Sequence, residues 1–274
     1  MSRQLNPTFI AFGLLGSLLL LDLVLPIMNL LLHADWSGWM AALAQPDARH
    51  ALKISVTTSV ISTLIMTVLG VPLGYLLARA NLLFKRFWIS LVFLPMVVPG
   101  LAGGILLLQT FGPYGIIGQP LDARNIELTN NLAGIVLAQL FVAAPFVVVS
   151  ALAGFASVDS KLEQAAATLG DSRWQIFRRI SLPLAWPGIA AGITLAWIRA
   201  LGEFGATLIM AYNPHSLPVY MWVKFESGGL AGAMPVAFWL VLAAGAVVGV
   251  SMFLSRLTSH AYVVTPLGVR PHDG

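Results

Sequence analysis

Six long apolar runs, at residues 9–32, 54–78, 88–111, 132–155, 187–211 and 234–255, occupy most of this 274-residue chain. A helix needs about 20 apolar residues to cross the hydrocarbon core of a bilayer. Each run reaches that length. In lipid no water completes the hydrogen bonding of the backbone, so a crossing segment must be a helix or a strand of a closed barrel. These runs lack the residue-by-residue alternation of barrel strands. The expected fold is all-α and integral to the membrane, with six transmembrane helices in one domain over 1–274. The first run follows Arg3 as a signal peptide would, but it outlasts the usual 7–15-residue apolar region and lacks a small-x-small cleavage site. It reads as a retained span.

Composition removes several function classes. The chain is 58% hydrophobic and 9% charged, whereas a soluble domain carries about 25% charged residues. It has no cysteine, which excludes disulfides, thiolate metal sites and thiol catalysis. No Gly-x4-Gly-Lys-Ser/Thr occurs, so the chain has no P-loop to cradle ATP phosphates. The five histidines (His33, His50, His215, His260 and His272) are scattered and read as surface residues rather than metal ligands. No cofactor is expected on this chain.

The net charge of +4 reports topology rather than nucleic-acid binding. With the N-terminus inside, the inner segments hold Arg3, Arg79, Lys85, Arg86, Lys161, Arg173, Arg178, Arg179, Arg256 and Arg270. The outer segments hold only Arg49, Lys53, Arg124 and Lys224. Positive charge concentrates on the cytoplasmic side, which places both termini and the 156–186 loop there. Outside, Trp36 and Trp39 suit an interfacial anchor. Residues 112–131 have room for a short surface helix. Residues 212–233 read equally as a short helix dipping back into the membrane or as an exposed loop.

Proline and glycine mark the spans unevenly. Span three reads LPMVVPGLAGG, with Pro95, Pro99, Gly100, Gly103 and Gly104. Span two has Gly70, Pro72 and Gly74, span four has Pro145, and span five opens at Pro187-Gly188. Proline removes a helix hydrogen bond and bends the axis. Such breaks survive in membranes where the freed carbonyls face protein or a water-lined cavity. The cluster in span three reads as a gate region or as small-residue packing between helices.

The most elaborate segment is polar. In DSKLEQAAATLGDSRWQIFRRISLP (159–183), Ser160 and Glu163 have the spacing of a capping box, and Ser172 and Gln175 repeat it. Leu162, Ala165, Ala166 and Leu169 fall on one helical face. Gly170 is a left-handed stop, and Pro183 ends a second short helix bearing Trp174, Phe177, Arg178 and Arg179. The first helix could lie on lipid headgroups, but a face of alanines gains little by burial there. A docking surface for a partner accounts for it better.

The same residues resemble the EAA loop of ATP-binding-cassette (ABC) importer permeases. The family pattern is Glu-Ala-Ala, three residues, Gly, nine residues, Ile, one residue, Leu-Pro. Here it reads Gln164-Ala165-Ala166, Gly170, Ile180 and Leu182-Pro183, with Glu163 directly before the Gln that replaces the usual Glu. The stretches 93–115, 151–170 and 197–213 are similar to permeases for molybdate, tungstate and sulfate, and WIRALGEFGATLIMAYN (197–213) leans toward molybdate.

The resemblance implies a type I importer permease with its core over 50–256, in a bacterial inner membrane. It implies that the 156–186 loop docks a cytoplasmic ATPase dimer, which uses ATP and Mg. An outside substrate-binding protein would deliver the substrate, and a second permease copy, with membrane lipid around it, would complete the pathway. Sulfate, thiosulfate, phosphonate and iron are the alternative substrates. An ATPase-independent secondary transporter is a competing class. It predicts inverted repeats and a polar midplane site, neither of which the sequence contains.

Three charges sit inside spans: Asp22, Arg199 and Glu203. Each costs at least about 2.5 kcal/mol at mid-membrane and generally faces protein or water. Arg199 and Glu203 are four residues apart on one helix face and can pair. They fix helix five or, with Gly202, Pro95 and Pro99, belong to a gate; an acid there does not itself attract an anion. Asp22 reads as a helix-packing contact.

Overall fold

The computed structural model describes residues 7–33 and 35–261, with side chains to residue 253. Arg3, Arg270 and His272 lie outside the described residues, as do the side chains of Arg256 and His260. Among the described residues the elements are helical throughout. They run α1 (Pro7–Leu32), α2 (Trp36–Ala44), α3 (Pro46–Arg79), α4 (Lys85–Val97), α5 (Gly100–Phe111), α6 (Gly118–Asp122) and α7 (Leu132–Ser157). They continue with α8 (Ser160–Thr168), α9 (Arg173–Ile176), a π-turn (Phe177–Ser181), α10 (Leu182–Leu201), α11 (Gly205–Met210) and α12 (Leu217–Ala261). Among the described residues five helices are long and apolar enough to cross a membrane, and α4 with α5, bent by 114°, makes a sixth if the pair is one span.

The centre is a three-helix packing of α3, α7 and α10. Its buried side chains include Met66, Val71, Val147, Ala151, Phe155, Ala185 and Ile189. Lipid supplies no hydrophobic drive between helices, so close van der Waals approach and interhelical hydrogen bonds hold them. Gly74 supplies the approach: a Cβ there would lie 2.6 Å from the Ala151 Cβ. Gln139 of α7 supplies the polar tie. Its Oε1 accepts from Ser62 Oγ at 2.7 Å, and its Nε2 donates to Thr58 Oγ1 at 3.2 Å, both on α3. Gly70, Gly74 and Pro145 are buried in this packing, whereas Pro72 lies exposed, and α3 and α7 run unbroken through them all.

Span three is broken. The residue before a proline is pushed out of the helical region. Val98 accordingly adopts φ −70°, ψ 123°, and α5 restarts after Pro99. Span five is broken too, at 202–204. Pro183 does not end a helix, contrary to the sequence expectation, because helix continues from Arg173 to Leu201. The Leu182 N–H reaches Phe177 O, five residues back, and this π-register passes around the N–H that Pro183 lacks.

The periphery corrects two further expectations. Trp39 is buried against Leu30 and Phe238 rather than exposed at an interface, while Trp36 stays outward with its ring edge on Phe238. Asp22 makes no packing contact within the chain: it lies exposed on α1, whose apolar stretch is unburied there. In the 212–233 region residues 217–228 are helical and turn at Gly229 (φ 61°). The Leu217 N–H there donates to the buried Ser55 Oγ at 2.7 Å. In the 112–131 region α6 supplies the short helix.

Candidate functional site: a polar elbow and two facing helix breaks

The elbow begins with an exchange of caps. Asp159, not Ser160, is the N-cap of α8, its carboxylate accepting from the Lys161 N–H at 2.9 Å. Ser160 becomes the first helical residue, and the Ser160–Glu163 box does not form. Glu163 turns inward instead. Its Oε1 accepts from Arg79 Nε at 3.1 Å, Arg79 Nη2 at 3.0 Å and Ser181 Oγ at 2.7 Å. Arg79 Nη2 also donates to Val158 O at 2.8 Å. With side chains only 21% and 15% exposed, this is a charge-assisted knot rather than a solvated surface pair. It joins the end of α3, the elbow helix and the π-turn.

The expected apolar face divides. Ala166 packs inward, whereas Leu162, Gln164, Ala165 and Leu169 are exposed. Gly170 has φ +95°, a conformation costly for residues with a Cβ, and the Asp171 N–H closes the turn on Ala166 O. The second box is present: the Ser172 N–H meets Gln175 Oε1 at 2.7 Å and the Gln175 N–H meets Ser172 Oγ at 3.4 Å. Phe177 then packs edge-on against Tyr75 of α3, with ring centroids 4.9 Å apart. Ile180, Leu182 and Pro183 are half-buried along the helix that follows.

At the far end of that helix the two breaks face each other. Arg199 Nη1 lies 2.6 Å from Glu203 Oε2. The other carboxylate oxygen accepts from the Ala206 N–H at 2.8 Å, capping α11. It also lies against Gly100, where a Cβ would sit 3.3 Å from it. Glycines make the contact between α5 and α11: a Cβ on Gly205 would fall 2.7 Å from the Leu101 N, and one on Gly104 would fall 2.8 Å from the Ile209 Cβ. Pro99 and Gly202 are exposed beside this junction. Pro95 is half-buried within α4, which it does not break.

Arg79, Ser181, Asp159 and Gly205 are the residues that sequence reasoning missed. Arg79 and Glu163 are 84 positions apart, beyond any periodic signal. Their opposite charges on the same expected side were the only available hint.

Residues 70–261 match the family described as binding-protein-dependent transport system inner membrane component. A probable molybdenum ABC transporter permease of Haloferax volcanii is 44% identical over 235 residues, covering 85% of this chain and 86% of the relative. A molybdate/tungstate transport system permease of Thermococcus kodakarensis is 38% identical over 236 residues, covering 85% and 90%. Among solved structures, a bacterial ABC transporter that imports alginate shares the fold with a TM-score of 0.68 at 17% identity, covering 92% of this chain and 97% of that one.

Proposed function

We propose, from the premise that this chain belongs to the family of binding-protein-dependent transport system inner membrane components, that it is the membrane-spanning subunit of an ATP-driven importer of molybdate or a related tetrahedral oxyanion. The observation that carries the coupling role is the elbow. An exposed Leu162–Ala165–Leu169 surface is anchored by Glu163 to two long helices at once. A partner that pulls on it moves α3 and α10 rather than a loose loop. The substrate class follows the relatives named for molybdenum and for molybdate/tungstate.

In this reading the chain makes six crossings with both termini cytoplasmic, as one domain over 1–274 with its core at 50–256. Two ATPase subunits hold Ser160, Gln164, Ala165 and the Gly170 turn. They use ATP and Mg, and this chain binds no cofactor. A second permease copy completes the path at a two-fold interface, and a binding protein delivers substrate outside. Pro95, Pro99, Arg199, Gly202 and Glu203 belong to the gate. Closure of the ATPases draws the paired elbows together and opens the path outward, a rigid-body form of alternating access.

Reconstitution in proteoliposomes with the ATPase and binding protein tests this. The expected result is ATP-dependent molybdate uptake, blocked by tungstate and at least about tenfold less sensitive to sulfate. Uptake by the chain without an ATPase contradicts it.

A further inference from the structure

We infer that Arg199 is a contact for the transported oxyanion, held on an open face of α10 and weakened by Glu203 so that the anion is not trapped. The inference rests on the oxyanion reading above and gives it a residue. Leu184, Gly188, Ala191 and Leu195 are exposed on α10 and, with half-exposed Arg199, recur every three or four residues along one helix face. The opposite side, with Trp186, Ala190, Ile193 and Trp197, borders a separate cavity of about 370 Å³ with α3. Arg199 therefore belongs to an open face distinct from that cavity.

A guanidinium 37% exposed within the single chain at the level of a membrane span is placed toward a water-lined path or a second protein surface, the surroundings that charged side chains in spans generally take. Only Nη1 is engaged by Glu203, and among the described residues Nε and Nη2 meet no acceptor. Those groups form the planar fork that matches two oxygens of a tetrahedral oxyanion. Glu203 is not itself available to repel the anion. Its side chain is 1% exposed, with one oxygen on Arg199 and the other on the Ala206 N–H. Its charge lowers the pull of Arg199, and a permeation site must bind weakly enough to release.

Two measurements on the reconstituted complex test the assignment. Arg199→Gln is expected to cut molybdate uptake about tenfold and to abolish the protection by molybdate of a thiol placed one turn away, at Leu195→Cys. Arg199→Lys should be intermediate. Glu203→Gln should slow uptake and hold the anion more tightly.

Because the chain has no cysteine, Leu195→Cys offers a unique thiol on it, read in a complex assembled with partner subunits whose cysteines have been replaced. A sulfonate-bearing thiol reagent should label it faster than an ammonium-bearing one, and molybdate should protect it, at a roughly tenfold lower concentration when Glu203→Gln is added. Unchanged uptake by Arg199→Gln, protection by molybdate that survives Arg199→Gln, or an unreactive Leu195→Cys overturns the assignment. A wild-type complex that moves no oxyanion overturns the functional reading and this assignment with it. A wild type and an Arg199→Gln variant that transport equally overturn the assignment alone.

Discussion

Glu163 accepts three hydrogen bonds from two side chains on different elements, so its loss is felt beyond α8. Hydrogen bonds to charged groups are worth about 1.5–3 kcal/mol when buried, and partial exposure here favours the lower end. Glu163→Gln should lower stability by about 1.5 kcal/mol, read as a reduced melting temperature in detergent, and reduce substrate-stimulated ATP hydrolysis more than basal hydrolysis. A larger fall in basal hydrolysis would assign Glu163 to assembly instead. At Gly170 the left-handed backbone makes Gly170→Ala cost about 1 kcal/mol, and Gly170→Asn should recover part of it in the same assay. On the opposite loop, the Gly38 N–H and then the Ser37 hydroxyl hold the Asp35 carboxyl below its usual range. The α2 cap is therefore fully formed above the ordinary carboxylate pKa and is lost as pH falls through the lowered value. A pH titration of the Gly38 amide resonance should show that single step, and Asp35→Ala should abolish it.

Among the elements, legibility in the sequence followed the range of the cause. Long spans were legible because length and apolarity are local properties. The break at Val98-Pro99 was legible as a proline cluster, since the restriction acts on the adjacent residue. The break at 202–204 was not, because Glu203 forms it by capping α11 and meeting Gly100 from another helix. The Arg199–Glu203 pair was legible as an i,i+4 spacing, whereas the Arg79–Glu163 knot depends on tertiary packing. Pro183 misled because a π-turn upstream absorbs it. Two substitutions test the elements. Gly104→Leu should destabilise the α5–α11 contact by about 1–3 kcal/mol through overpacking, measured by thermal unfolding in detergent. Pro99→Ala should reduce molybdate uptake while leaving complex assembly, measured by size-exclusion chromatography, intact.

Across the whole molecule, one helical run from Arg173 to Leu201 joins the elbow to the facing breaks. At 1.5 Å per residue it is about 42 Å long. On the proposed function, coupling needs no separate relay: the Arg79–Glu163–Ser181 knot ties the elbow into the first third of this rod, and the Arg199–Glu203 pair sits at its end. Such coupling requires an ATPase holding the exposed face of α8. The most direct measurement is site-specific crosslinking in the assembled complex from Ala165→Cys, the chain's sole cysteine. The expected result is efficient crosslinking to the ATPase subunit, at a rate that changes when ATP is bound. Crosslinking to lipid or to nothing, with the complex still importing molybdate, would contradict it.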